Sequence, residues 1–357
     1  MTDNRMYGLD LLRAFLMFFG PIFHSGMLFE KNYRFIEHSN DLVYYFSAIM
    51  FPFRMEFYFA ISGFFTFLLV SRKGMDYLRE SKKKSLFIPT FWALIIFLPL
   101  TNFVKKTLSV SEGVNFGFHH VWFLISLSFI TFFILHNPDF LMKFTSRLKK
   151  FSFFKVTFIT LLLYCFTFML RIFSTRWLTG YPIMEELVQN CFFLPFNYFI
   201  PFLYGAYLNS CEFNYRPTNR VVFISVLIYV MVYAVFVFFQ LHSYGKIYRV
   251  VSRLFLMLAS SYLMLNVFYF FKNLNLSPTK NLKFLSESAL PFYLIHYPVV
   301  LFLASIFSIW IDNDFLHFVA TFLGTFFISL IFCVAALKYD LTRNIFGLKS
   351  LKHKLMC

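Results

Sequence analysis

The sequence predicts an all-α, polytopic membrane protein of about ten transmembrane helices, and three observations predict it. Of its 357 residues, 59% are hydrophobic and 14% charged, with a mean hydropathy of +0.66; a soluble fold of that composition would expose apolar surface everywhere. Apolar stretches long enough to cross a bilayer, about 20 residues each, recur along the whole chain. Most of the Lys and Arg residues fall in the short segments between those stretches.

Taken in order, the apolar runs lie near 7–29, 43–71, 86–104, 121–136, 153–173, 190–209, 221–241, 251–271, 284–309 and 316–337. The first carries Asp10 and Arg13 and lacks a small-residue cleavage site, so it is expected to stay as a helix and not to leave as a signal. The second is overlong and contains Pro52, Gly63, Arg54 and Glu56, features that predict a tilted, kinked or partly re-entrant span. With a cytoplasmic N-terminus, the inside segments gather Arg5, then Arg72, Lys73, Arg79 and Lys82 to Lys84, the basic residues from Lys143 to Lys155, Arg216 and Arg220, Lys272, Lys280 and Lys283, and finally Lys338, Arg343, Lys349, Lys352 and Lys354. The outside segments hold only Lys31, Arg34, Lys105, Lys106, Arg171, Arg176, Lys246, Arg249 and Arg253. The positive-inside rule then puts both termini in the cytoplasm, and an even number of spans agrees. No internal repeat, low-complexity linker or long loop interrupts the pattern, so residues 1–357 are expected to form a single membrane domain.

The same features exclude several classes. A formal charge of +16 would suggest a nucleic-acid partner in a soluble protein, but basic residues confined to loops point to anionic lipid headgroups instead. The five cysteines form no CxxC pair and no ligand spacing, which leaves neither a zinc site nor a disulfide framework to expect. Nucleotide-binding loops of the GxxxxGK[ST] and GxGxxG kinds are missing, as are a GxSxG elbow and an HExxH helix.

Ionisable groups at bilayer depth cost several kcal/mol, so each asks for a lined cavity or an internal partner. The first run, YGLDLLRAFLMFFGPIFHSG, carries three of them: Asp10, Arg13 and His24. Arg13 and His24 are eleven residues apart, which on a straight helix is close to three turns and a rise of about 16 Å on one face. Asp10 and Gly20 fall near the same stripe, and the missing side chain of Gly20 leaves room for a ligand or a neighbouring helix. Asp10 and Arg13, at i,i+3, could equally neutralise each other at the interface. In FRMEFYFAISGFF, Arg54 and Glu56 point about 200° apart and need separate partners. His120, in HHVWFL, and His296, in SESALPFYLIHYPVV, enter the outer half of the bilayer in this topology, as His24 does, and each is either a hydrogen-bonded structural histidine or a proton carrier. No HxH or HxxxH spacing supports a metal. The cluster Arg72, Lys73, Arg79, Lys82, Lys83 and Lys84 reads as an ordinary cytoplasmic anchor or as a docking surface for a polyphosphorylated cofactor.

These fragments, with the Arg13-x10-His24 spacing, the basic loop leading to FIPT and the closing stretch from Arg343 to Lys349, resemble the membrane acyltransferase-3 family and most closely its glucan biosynthesis protein C (glucan succinyltransferase) branch. The resemblance implies O-acyl transfer from cytoplasmic acyl-coenzyme A, succinyl- or acetyl-coenzyme A, to a hydroxyl of an extracytoplasmic glucan or other carbohydrate across a bacterial inner membrane. It implies His24 as general base, with Arg13 orienting the thioester and Asp10 as the partner of Arg13. Arg79, Lys82, Lys83 and Lys84 would hold coenzyme A phosphates, and a lysine run stands here where many relatives carry paired arginines. Arg54, Glu56, His120, Trp122 and His296 are left as contacts for substrate or oxyanion, Arg54 being the one suited to a carboxylated acyl group. The partners expected are membrane lipid, the thioester and the carbohydrate, with self-association left open. The competing readings are a transporter or flippase whose buried charges line a path, a lipid-linked sugar polymerase, and a non-catalytic scaffold.

Overall fold

A computed structural model describes residues 6–30, 39–108, 117–177, 187–211, 213–242, 245–277 and 279–349. Arg5, Lys31, Arg34, Lys352 and Lys354 of the charge pattern lie outside them. Among the described residues the regular structure is entirely helical, as a chain in lipid requires, since a helix satisfies its own backbone polar groups. Among the described residues, seven helical stretches are long and apolar enough to cross a membrane.

The first apolar run forms two helices, α1 (Tyr7–Phe18) and α2 (Gly20–Met27), parted at Phe19. Pro21, which has no N–H to donate and cannot continue the preceding turn's bonding, sits just past the break. The second and third runs lie on one helical path, Asp41–Leu108, 68 residues long. It comprises α3 (Asp41–Ser47), a single 3₁₀ turn, α4 (Phe51–Lys82), α5 (Ile88–Trp92) and α6 (Leu98–Leu108). Asn40 caps its start by accepting from the amides of Leu42 and Val43. Within α4 the chain breaks at Gly74, whose φ of 82° favours glycine.

The later helices are α7 (Trp122–His136), α8 (Pro138–Leu148), α9 (Phe153–Trp177), α10 (Leu194–Ser210), α11 (Asn219–Leu241), α12 (Lys246–Asn273), α13 (Lys280–Trp310), α14 (Asp314–Ala336) and α15 (Asp340–Ile345). Thr218 and Thr279 cap α11 and α13 with their hydroxyls. Widened π turns occur at Lys83–Phe87, Ala93–Phe97 and Gln189–Phe193. Each contains the residue four before a proline: Ser85 before Pro89, Ile95 before Pro99 and Cys191 before Pro195. A proline ring clashes with the carbonyl at i−4, and an extra residue in that turn relieves the clash while the helix continues.

The chain divides into two compact units. One comprises residues 1–55, 104–112 and 214–334. In it α1 and α2 pack on α13, and α11 packs along α12. Phe18 meets Phe292 edge-on at 4.6 Å, and a core of Leu28, Phe29, Val43, Tyr297, Val300, Leu301, Ala304 and Phe318 closes around the end of α2. The Tyr233 hydroxyl donates to the Tyr45 carbonyl at 2.6 Å, and that of Tyr229 to the Ile49 carbonyl. The other unit comprises residues 56–103, 113–213 and 335–357, with α10 packed on α7, α8 and α9. There α4 and α10 cross backbone to backbone: a Cβ on Gly63 would stand 1.8 Å from the Phe202 carbonyl oxygen, and one on Gly205 1.7 Å from that of Ala60. Glycine pairs of this kind let membrane helices approach closely enough for dispersion to hold them. Outward-facing Phe154, Met231, Ile247, Phe327 and Ile331 are exposed, as a surface solvated by acyl chains would be.

Candidate functional site

In the first unit the hinge between α1 and α2 sets the site. His24 follows Gly20 by one turn of α2, so both face the same way. Opposite them stands His296, near the middle of α13 and fully buried. The two imidazoles are 5.2 Å apart between centroids and tilted 46°, and the Tyr297 ring lies edge-on to His24 at 4.7 Å. His24 is itself 8% exposed, which removes bulk water as its main neighbour. His296 Nδ1 donates to the Tyr293 carbonyl at 2.7 Å and approaches that of Phe292 at 3.2 Å. Gly20 is needed for this approach, because a Cβ there would stand 2.8 Å from His296 Nε2.

Arg54 is buried, with its guanidinium carbon 5.5 Å from the centre of the Phe23 ring. Phe23 is stacked on Phe51 at 4.9 Å and edge-on to His24 at 5.0 Å. The arginine therefore stands one aromatic ring away from the imidazole pair, with its guanidinium over the face of the Phe23 quadrupole. Asp10 is buried in α1 and Arg13 is half-buried one turn later. They stand one turn apart on the same helix, at the i,i+3 spacing that makes side chains neighbours.

The second unit holds the remaining candidates. Glu56 accepts a hydrogen bond from the Tyr164 hydroxyl, and Thr167 donates to Asn197 Oδ1 at 2.9 Å just beyond it. Trp122 stacks on Tyr198 at 5.3 Å, and Tyr198 on Phe59 at 4.6 Å. His120 is 2% exposed in the turn that opens α7. That turn is entered through His119 at φ 41°, held by Asn102, whose Oδ1 accepts from the Gly117 amide at 3.2 Å and lies 3.1 Å from His119 Nε2. In the basic cluster Arg79 pairs with Asp76 at 3.1 Å on an open surface, where such a pair contributes little. Lys83 and Lys84 are exposed and Lys82 half-buried. The turn after α15 rests on the backbone here: Gly347, at φ 66°, would place a Cβ 2.0 Å from the Lys84 carbonyl oxygen.

The structure thus brings His24, His296, Gly20 and Arg54 together in one unit, and places Glu56, His120, Trp122, Arg79, Lys82, Lys83 and Lys84 in the other. Tyr297 and Tyr164 were missed from the sequence. Tyr297 is adjacent to His296 in HYPVV and could have been flagged; nothing local marks Tyr164 as the partner of a glutamate 108 residues away. Among the described residues no group of His, Cys, Asp and Glu could hold a metal ion.

The chain matches the family model described as an acyltransferase domain over residues 6–336. It is 23% identical to glucans biosynthesis protein C of Escherichia coli O1:K1 across 96% of this chain and 94% of that protein. The protein of the same name from Escherichia coli strain K12 / DH10B is also 23% identical over the same shares. No solved structure matches the chain.

Proposed function

The chain belongs to the acyltransferase-3 family of membrane enzymes, and from that premise we propose that it carries an acyl group from a cytoplasmic acyl-coenzyme A to a hydroxyl of an extracytoplasmic glucan or related carbohydrate. The name of its relatives favours a glucan acceptor, and Arg54 favours a carboxylated acyl group such as succinyl, with acetyl as the smaller alternative. The setting is a bacterial inner membrane, crossed ten times with both termini in the cytoplasm. The count follows if α1 and α2 together make one crossing, the path Asp41–Leu108 two, and α9 one.

The observation that carries the reading is a buried imidazole, His24, held at a helix hinge beside a second imidazole. Attack of an alcohol on a thioester is slow unless its proton is removed as the bond forms, and a placed base contributes about 10² to 10⁴ in rate. His24 takes the proton of the acceptor hydroxyl as the new C–O bond forms. The C–S bond then breaks, and the same proton passes to the departing thiolate, giving an ester and free coenzyme A. Arg13 serves the donor, and Arg54 the carboxylate or the developing oxyanion. In the other unit Arg79, Lys82, Lys83 and Lys84 supply cations of the kind coenzyme A phosphates need, while Glu56, His120 and Trp122 offer polar and aromatic surface of the kind a sugar uses.

Detergent-purified protein tests the donor first. Succinyl- or acetyl-coenzyme A should raise its melting temperature, since a ligand of the native state stabilises it. A melting temperature indifferent to every thioester would remove coenzyme A from the reading.

A further inference from the structure

We propose that α14 lines a passage beside α13, closed in this structure, through which a hydroxyl-bearing ligand, water or the sugar acceptor, reaches the depth of the imidazole pair. Along α14 the polar residues His317, Thr321, Thr325, Ser329 and Cys333 recur at every fourth position, and none is more than 1% exposed. Residues four apart form one ridge inclined to the helix axis, a surface by which a helix packs on its neighbour. Both ends of this ridge touch α13, His317 Nε2 donating to the Ala304 carbonyl at 2.9 Å and Cys333 Sγ to that of Ser288 at 3.6 Å. The two helices therefore run antiparallel, and Thr325 and His296 each lie eight residues from both contacts, at one depth. The His24 ring is at that depth too, 5.2 Å from the ring of His296.

Other buried hydroxyls of the protein are satisfied within their own helix. Thr66, Thr90, Thr101, Thr145 and Ser260 each donate to the carbonyl four residues back. Thr321, Thr325 and Ser329 do not, and nor does Ser288, whose carbonyl meets the last residue of the ridge; among the described residues these four hydroxyls have no hydrogen-bond partner. A hydroxyl taken from water with no bond in return destabilises the arrangement that buries it. Four along one seam lower the cost of opening it, and a ligand that both donates and accepts recovers what was lost. Water and sugar hydroxyls do both; an acyl chain does neither. On its far side α14 exposes Phe327, Ile328 and Ile331, so lipid backs the helix and leaves it room to move off α13. In the topology proposed above the acceptor enters from the His317 end, and the link from passage to turnover rests on the acyl-transfer reading.

The first test needs no turnover. Thr321→Cys, Thr325→Cys and Ser329→Cys are made singly in the full chain, in liposomes, with the five native cysteines replaced by alanine. A small water-soluble methanethiosulfonate attacks only thiolate, which forms where water reaches the sulfur. The ridge cysteines should be modified about tenfold faster, or more, than Ile328→Cys and Ile331→Cys on the lipid side. Protection by added glucan identifies sugar as the occupant, and its absence identifies water. Ridge cysteines no faster than the lipid-facing pair overturn the proposal.

The second test uses T321V/T325V/S329A, which keeps the shape of the ridge and removes its hydroxyls. Because it favours the closed seam, it should raise the melting temperature while lowering kcat for transfer from labelled succinyl-coenzyme A to glucan about tenfold. A melting temperature that fails to rise shows hydroxyls that hold the helices together, and a raised one with kcat unchanged shows a seam that never opens; either result overturns the proposal. Should the cysteine-free chain fail to fold, this variant still decides. Absence of any transfer by the wild-type protein would strike at the acyl-transfer reading alone, since the labelling reports the passage without turnover.

Discussion

Arg54 is buried over an aromatic ring and within one ring of His24, a position from which a guanidinium can meet an anionic ligand beside the imidazole. If that ligand is the carboxylate of a succinyl group, Arg54→Met should cost succinyl transfer far more than acetyl transfer. We expect the ratio of the two kcat/KM values to fall about tenfold or more, as loss of a charge-assisted hydrogen bond implies; an unchanged ratio would assign Arg54 to the oxyanion or to structure. Glu56 makes a different prediction. Its carboxylate is half-buried and receives the Tyr164 hydroxyl, so Tyr164→Phe removes a donor from a desolvated acid and should destabilise the fold by about 1–3 kcal/mol, read as a lower melting temperature. At this scale the sequence was legible where depth alone raised the question: His24, Arg54 and His296 stood out as polar groups inside apolar runs. It was illegible where the answer was a distant partner. Glu56 is the case: nothing in FRMEFYF points to the hydroxyl of Tyr164, 108 residues along the chain, from which its carboxylate accepts.

Helices carry the site through their interruptions. The break at Phe19 turns α2 so that Gly20 and His24 face α13 together, and Pro21 beside it was visible in the sequence, though the break itself was not. The three π turns lie ahead of Pro89, Pro99 and Pro195, a pattern that hydropathy cannot show because the runs stay apolar through them. Every apolar run became helix, since length and apolarity suffice for that, whereas α8, short and lying between spans, fell outside a reading tuned to crossings. The turn after α15 gives an element-scale prediction. Arg343 is buried, with Nε donating to the Lys349 carbonyl at 2.7 Å, while Leu348 N–H bonds the Arg343 carbonyl at 2.8 Å and Gly347 N–H that of Asn344 at 3.0 Å, a Schellman close. Gly347→Ala meets both a positive φ and the Lys84 carbonyl, so it should displace the Lys83–Lys84 turn and raise the donor KM several-fold with kcat little changed. Steady-state kinetics at varied thioester concentration check this, and a changed kcat with unchanged KM would separate that turn from donor binding.

For the whole molecule, the proposed reaction has a donor on one side of the membrane and an acceptor on the other, and the positive-inside rule predicts from the basic residues which side is which. Cysteines placed singly at position 143, in a basic inside segment, and at position 249, in an outside one, should be labelled by an impermeant maleimide from opposite faces of the membrane; labelling from one face would overturn the ten-crossing topology. The central claim, an acyl group moved across the bilayer to a hydroxyl activated by His24, is tested most directly in sealed inverted inner-membrane vesicles containing glucan and given radiolabelled succinyl-coenzyme A outside, on the cytoplasmic face. The wild-type protein should place label on the enclosed glucan, and His24→Ala should lower that rate by about 10² to 10⁴. Enclosed glucan labelled equally fast by the variant would contradict the account.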